Sequence, residues 1–228
     1  MNIKTFKESL LYRLAEIAKP HGLKCKISMF DLYQTLGTNF WKVDIFHNPF
    51  LVNGKIELRI ISSVKPLAFD NMQFSITDPG KKTRITDNLR AHGAFAVRPL
   101  VYDSRVYYFP CEEFHDGNKE IMDAAETVLG DYLSGRAAFQ EKVSKESGNL
   151  MQYLADHKEN FPMQAAMAYL CMNDYHAAEK CFNYAEAQKK TWHISIGSRD
   201  YHAIFRDYCK AMQQGLNWTD TMARNGLL

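Results

Sequence analysis

Glu112-Glu113-Phe114-His115-Asp116 is the densest group of ligand-type side chains in the chain. Carboxylates and imidazoles hold metal ions or carry protons, but either task needs them to converge, with another element supplying further ligands. The simpler reading is a helix start, because Asp116 and Gly117 precede a helical segment and acids at an N-terminus suit the helix dipole. A second group is His193, Asp200 and His202, close to Trp192. Its histidines lie nine apart across Gly197 and form no HExxH pair. Ser62, Ser63, Ser75, Ser104 and Ser195 sit in no GxSxG context, and neither GxxxxGK[ST] nor GxGxxG occurs. These absences predict no catalytic residue, no metal site and no cofactor. A hydrolase or transferase remains as an alternative, with a site assembled from distant groups such as His115, His193 and His202.

Two patterns point to binding instead. Lys81, Lys82, Arg84, Arg90, Arg98 and Arg105 form a candidate anion-binding set, interleaved with Phe95, Tyr102, Tyr107, Tyr108 and Phe109. Cations pair with phosphates and aromatic rings stack on bases, so a sheet presenting both would hold single-stranded nucleic acid. Aromatic residues in strands are more often core, and the RNP-type run of an RNA-recognition motif is missing. Arg199-Asp200-Tyr201 recurs seven residues later as Arg206-Asp207-Tyr208. On a helix, that spacing brings Tyr201 and Tyr208 to one face with Ile204, Phe205 and Met212. Such a stripe is either a seam for a partner or the face by which the helix docks in its own domain.

These groups must be positioned by two differently textured halves. Residues 3–19 form an amphipathic helix on Phe6, Leu10, Leu14, Ile17 and Ala18, stopped by Pro20 and Gly22. Short segments of strand character follow over 23–30, 40–46, 55–64, 94–100 and 104–109. Asn53-Gly54 is the strongest hairpin signal, Tyr102-Asp103 is read as a turn, and 83–92 as a short helix. The expected product is an antiparallel sheet with one face covered by helix 3–19. After Pro110 the pattern is helical over 118–141, 147–158, from Phe161-Pro162 onward, 176–190 and 199–214. Residues 1–111 carry a net charge of +7 and residues 112–228 a net of −5, within a total of +2. The expectation is an α+β fold: a basic α+β domain, 1–111, followed by an acidic all-helical domain, 112–228.

No long apolar N-terminal run and no membrane-length apolar stretch occurs, which predicts a cytoplasmic protein. Cys25, Cys111, Cys171, Cys181 and Cys209 lack CxxC spacing and are expected as free, mostly buried thiols.

Residues 165–185 have a grammar of their own: small Ala165 and Ala166, Tyr169, a turn at Asn173-Asp174-Tyr175, then Ala178, Phe182 and Ala185. Small residues let two helices approach, and the rings fill the wedge between them. The segment resembles a tetratricopeptide repeat, although Pro162 occupies its expected Trp-type position and no second copy lies 34 residues away. The resemblance implies an antiparallel helical hairpin used as a protein-binding scaffold. The resulting expectation is a non-enzymatic protein-binding module, of adaptor or bacterial immunity type, that acts by surface occlusion. Its candidate partner-binding residues are Tyr169, Tyr175, Phe182, Tyr201 and Tyr208. Nucleic-acid binding by the basic half, and the docking of the oppositely charged halves onto each other, stand as alternatives.

Overall fold

The computed structural model describes residues 3–48, 50–79, 84–92, 97–110, 118–191, 195–196 and 199–225. The fold is α+β, with a five-stranded antiparallel sheet from the N-terminal half followed by helices. It divides into two compact units that interleave in sequence, residues 1–64 with 101–142 and residues 65–100 with 143–228.

The first unit begins with α1 (Ile3–Ala18). Strands β1 (Lys24–Lys26), β2 (Asp31–Leu36), β3 (Asn39–His47), β4 (Lys55–Pro66, of which the last two residues belong to the second unit) and β5 (Leu100–Pro110, of which the first residue belongs to the second unit) follow. They lie side by side in chain order. Lys24 pairs with Tyr33, and Asp31 with Asp44. Asn53 and Gly54 both take positive φ, 52° and 74°, as the tight turn into β4 requires. Phe6, Leu10, Leu11 and Leu14 of α1 are fully buried against Leu32, Val43, Ile45, Ile56, Leu58 and Ile60.

The same core takes in Ile121, Ala124, Ala125, Val128, Leu129 and Tyr132 from α4 (Asn118–Ser147). This apolar stripe is the reason the compact units do not follow the boundary read at Pro110-Cys111. Most of α4 packs with the sheet, and Arg105 of β5 pairs with its Asp131 at 2.8 Å. The charge asymmetry is largely folded away with it: the first unit carries 13 Lys/Arg against 14 Asp/Glu, and the second 15 against 12.

The second unit contains α2 (Leu67–Thr77), α3 (Asp87–His92), α5 (Leu150–Asp156), α6 (Pro162–Cys171), α7 (Tyr175–Ala187), the short pair β6 (Ser195–Ile196) and β7 (Arg199–Asp200), α8 (Tyr201–Gln213) and α9 (Trp218–Arg224). Asn149, Asp174, Asp200 and Asn217 cap the N-termini of α5, α7, α8 and α9 through side-chain oxygens. Helices α5 to α8 pack on one another in succession, and α2 packs on α6 and α8. Asp70 on α2 is fully buried and meets two cations, Lys65 at 2.6 Å and Arg90 at 2.6 Å.

Four local expectations change, the first being the strand expected over 94–100: residues 97–99 lie in no strand, β5 begins only at Leu100, and 94–96 lie outside the described residues. β2 was not expected, and its residues Asp31 to Gln34 are all buried, so neither face shows the polar alternation of a half-solvated strand. Tyr102-Asp103 is no turn but lies inside the continuous strand β5. Helices α2 and α9 are additional, and α2 mixes the buried polar residues Asp70, Gln73 and Thr77 with its apolar ones.

No helix among the described residues is long and apolar enough to cross a membrane. Cys25, Cys171, Cys181 and Cys209 are free thiols.

Candidate functional site

The α6–α7 hairpin is closed by a tight reversal. Asn173 takes φ 60°, the Asp174 N–H donates to Tyr169 O at 2.9 Å, and the Asn173 N–H donates to Leu170 O at 3.0 Å. These bonds use carbonyls that a helix end leaves unpaired. The Asp174 carboxylate then accepts from the Ala177 N–H at 2.9 Å and starts α7. Ala165, Ala166, Ala178 and Ala185 are fully buried, so the helices approach closely.

Beside this hairpin lies a half-open groove of about 450 Å³. Tyr169 and Tyr184 supply its rings, Lys158, Glu159, His176 and Lys180 its charged or titratable rim, and Cys181 part of its floor. Tyr169 donates its hydroxyl to Ala155 O at 3.3 Å, so its ring is held in place. Burial raises the pKa of both the Tyr169 hydroxyl and the Cys181 thiol, and the nearby Lys158 charge offsets this only in part. Both groups stay protonated at neutral pH, so neither is poised as a nucleophile. The groove therefore offers aromatic area, hydrogen-bond donors and charges of both signs, which suits recognition.

Of the five residues expected to meet a partner, only Tyr169 lines this groove. Tyr175 and Tyr208 are half-buried in an edge-to-face row with Trp218, at centroid distances of 6.0 and 5.2 Å. Phe182 and Tyr201 are interior. Phe182 stacks on Phe205 at 5.9 Å, and Tyr201 leans on the same ring at 6.3 Å. The α8 stripe thus docks within its own unit.

The basic set is dispersed. Arg90 is taken by Asp70, and Arg105 by Asp103 and Asp131. Arg84 and Arg98 are exposed, and Lys81 and Lys82 lie outside the described residues. Among the interleaved aromatics, Tyr107 and Phe109 pack against the core of the first unit, Tyr102 stacks on Phe139, and Tyr108 is exposed. Phe95 lies outside the described residues, as do His193 and the run from Glu112 to Asp116. His202 is buried, its Nε2 3.2 Å from Phe182 O, and its pKa is lowered chiefly by burial. No group of three or more metal-ligating side chains converges among the described residues.

His176, Lys180 and Tyr184 were missed by sequence reasoning. Their signal was a spacing of four along α7, which places them on one face. Lys158 carried no comparable signal. No protein-family model, curated protein or solved structure matches the chain.

Proposed function

We propose that the protein is a cytoplasmic, non-enzymatic binding module that captures a segment of another protein in the α6–α7 groove and so occludes it. The observation that carries this reading is the groove itself: two tyrosine rings in a concavity of about 450 Å³ framed by Lys158, Glu159, His176 and Lys180. Tyrosine is among the residues enriched where binding energy concentrates at protein interfaces, and charged rims set orientation and encounter rate. The succession of α5, α6, α7 and α8 supports the same reading, since stacked helical hairpins expose such concavities.

The test begins with identification of proteins that co-purify from the native host. Affinity for the purified partner is then measured for the wild type, Tyr184→Ala, Lys180→Glu and, on the sheet of the first unit, Tyr108→Ala. Tyr184→Ala and Lys180→Glu should each weaken binding by about tenfold or more, and Tyr108→Ala should not. Equal binding by the groove variants, or selective loss with Tyr108→Ala, refutes the assignment. A bound species that proves to be nucleic acid, with affinity falling steeply as salt rises, would refute it in favour of the alternative reading.

A further inference from the structure

The first unit contains a polar cluster that the groove does not use. It is built where α4 crosses the sheet, from Gln34 on β2, Trp41 on β3, Ser62 on β4, Tyr102 on β5, and Tyr132 and Arg136 on α4. Trp41 is 1% exposed, Tyr132 3% and Gln34 5%. The aromatic frame is rigid: Trp41 stands edge-on to Tyr102 at 5.5 Å, and Tyr102 stacks on Phe139 at 4.8 Å. The Arg136 guanidinium lies 5.5 Å from the Tyr132 ring centroid.

Within this frame, Trp41 Nε1, the Tyr102 and Tyr132 hydroxyls and Arg136 Nε make no hydrogen bond of good geometry, although Ser62 stands beside the Tyr102 hydroxyl and Gln34 and Arg136 beside that of Tyr132, as donors to its oxygen. Each carries a hydrogen to donate. The neighbours of the Gln34 amide favour the orientation in which its oxygen would accept from Arg136 and its nitrogen would donate to His21 O at 3.2 Å. That contact anchors one edge of the guanidinium and leaves Nε bare. No carboxylate lies within ion-pair distance of Arg136 among the described residues, and nearby Asp103 is held by Arg105 at 2.8 Å. Burial raises the pKa of both tyrosines, outweighing the opposing pull of Arg136, so their hydroxyls remain protonated.

The tyrosine oxygens can accept from their neighbours, but no carboxylate balances the guanidinium and the two hydroxyl protons and the indole N–H are left to donate, which is the complement of an acceptor-only anion. A water molecule would satisfy two of the donors but would leave the charge uncompensated. Arg136 is only partly buried, which gives a route of entry at its end of the cluster. We propose that the cluster binds a small oxyanion, a carboxylate or phosphate group, whose oxygens accept from Arg136 Nε and the Tyr102 and Tyr132 hydroxyls against the Trp41 wall.

The experiment uses the full chain labelled with ¹⁵N, titrated separately with inorganic phosphate and with acetate at constant ionic strength in chloride. The Arg136 Nε–H and Trp41 Nε1–H signals should move saturably, and the tighter of the two titrants distinguishes a phosphate from a carboxylate ligand. Tyr132→Phe, which keeps the ring, should raise the midpoint by about tenfold or more, the loss expected for one hydrogen bond to a charged group. Arg136→Gln should abolish saturation. Three results overturn the proposal: no saturable shift with either anion, an unchanged midpoint in Tyr132→Phe, or magnetisation transfer showing a bound water at Arg136 Nε that neither anion displaces. Should Arg136→Gln fail to fold, the Tyr132→Phe midpoint decides alone.

Discussion

Each unit withdraws an arginine from solvent, Arg90 almost wholly and Arg136 in part, and the two are treated in opposite ways. In the second unit, Arg90 reaches Asp70 at 2.6 Å, and Lys65 reaches the other oxygen of the same carboxylate at 2.6 Å. Arg90 also donates to Leu67 O at 3.4 Å. In the first unit, Arg136 has the Gln34 amide and a tyrosine face but no carboxylate among the described residues. Removing a charge from water is costly wherever it happens, and an opposite charge with good geometry is what offsets it. The Asp70 site is therefore closed and structural, whereas the Arg136 site is open and suited to a ligand. Compensation by a buried carboxylate marks the structural charge, and its lack marks the one left for a ligand.

The largest effect should follow from breaking the closed site. Asp70→Asn removes the buried carboxylate that Lys65 and Arg90 share, and should cost about 3–5 kcal/mol. Hydrogen exchange read at α6 amides for the second unit, and at β3 amides for the first, would show that loss in the second unit only.

A second contrast concerns hydrogen bonds. The Trp218 indole N–H donates to Ile76 O at 2.8 Å in the second unit, while the Tyr132 hydroxyl in the first, beside Gln34 and Arg136, makes no hydrogen bond of good geometry. Trp218→Phe should destabilise by about 1–3 kcal/mol, because it strands a buried carbonyl. Without an added anion, Tyr132→Phe should be neutral or slightly stabilising. Denaturant unfolding of the two variants checks both signs.

A smaller effect is expected at a helix start. Asp200 accepts from the N–H groups of His202 and Ala203 at 3.0 and 3.3 Å, so Asp200→Ala should cost about 1 kcal/mol. The loss should appear in thermal unfolding and leave the exchange of β3 amides unchanged.

The smallest effect is one of pH. His202 titrates below its ordinary value of 6.5, chiefly because it is buried, with Arg206 adding to the lowering. The unfolded chain then takes up the proton more readily than the folded one. The stability tied to a neutral His202 is complete above that ordinary value and declines as pH falls towards the folded value. His202→Gln should flatten this part of the stability–pH profile for the second unit.

Local pattern made much of this architecture readable. The α1 stripe, the Asn53-Gly54 hairpin and the α6–α7 reversal are set by residues close in sequence, and each was identifiable from its spacing. β2 and α2 were hidden because tertiary packing buries polar residues in both, which blurs the periodicity that marks an element. The α4 stripe was legible as a helix face, but nothing local says which body it will cover. The sites divide along the same line. Tyr169 was singled out with its hairpin, and His176, Lys180 and Tyr184 shared a readable face of α7. The Arg136 cluster was invisible, because its members come from four strands and a helix and meet only when α4 lies on the sheet.

The contrast between the two arginines is tested most directly by Arg136→Gln, measured by hydrogen exchange at β3 amides in chloride buffer free of oxyanions. An uncompensated cation gives nothing up when it is removed, so the first unit should keep its stability or gain slightly. A loss of about 3–5 kcal/mol, the size expected for Asp70→Asn, would mean that Arg136 already has its counter-charge in the free protein and would contradict the account.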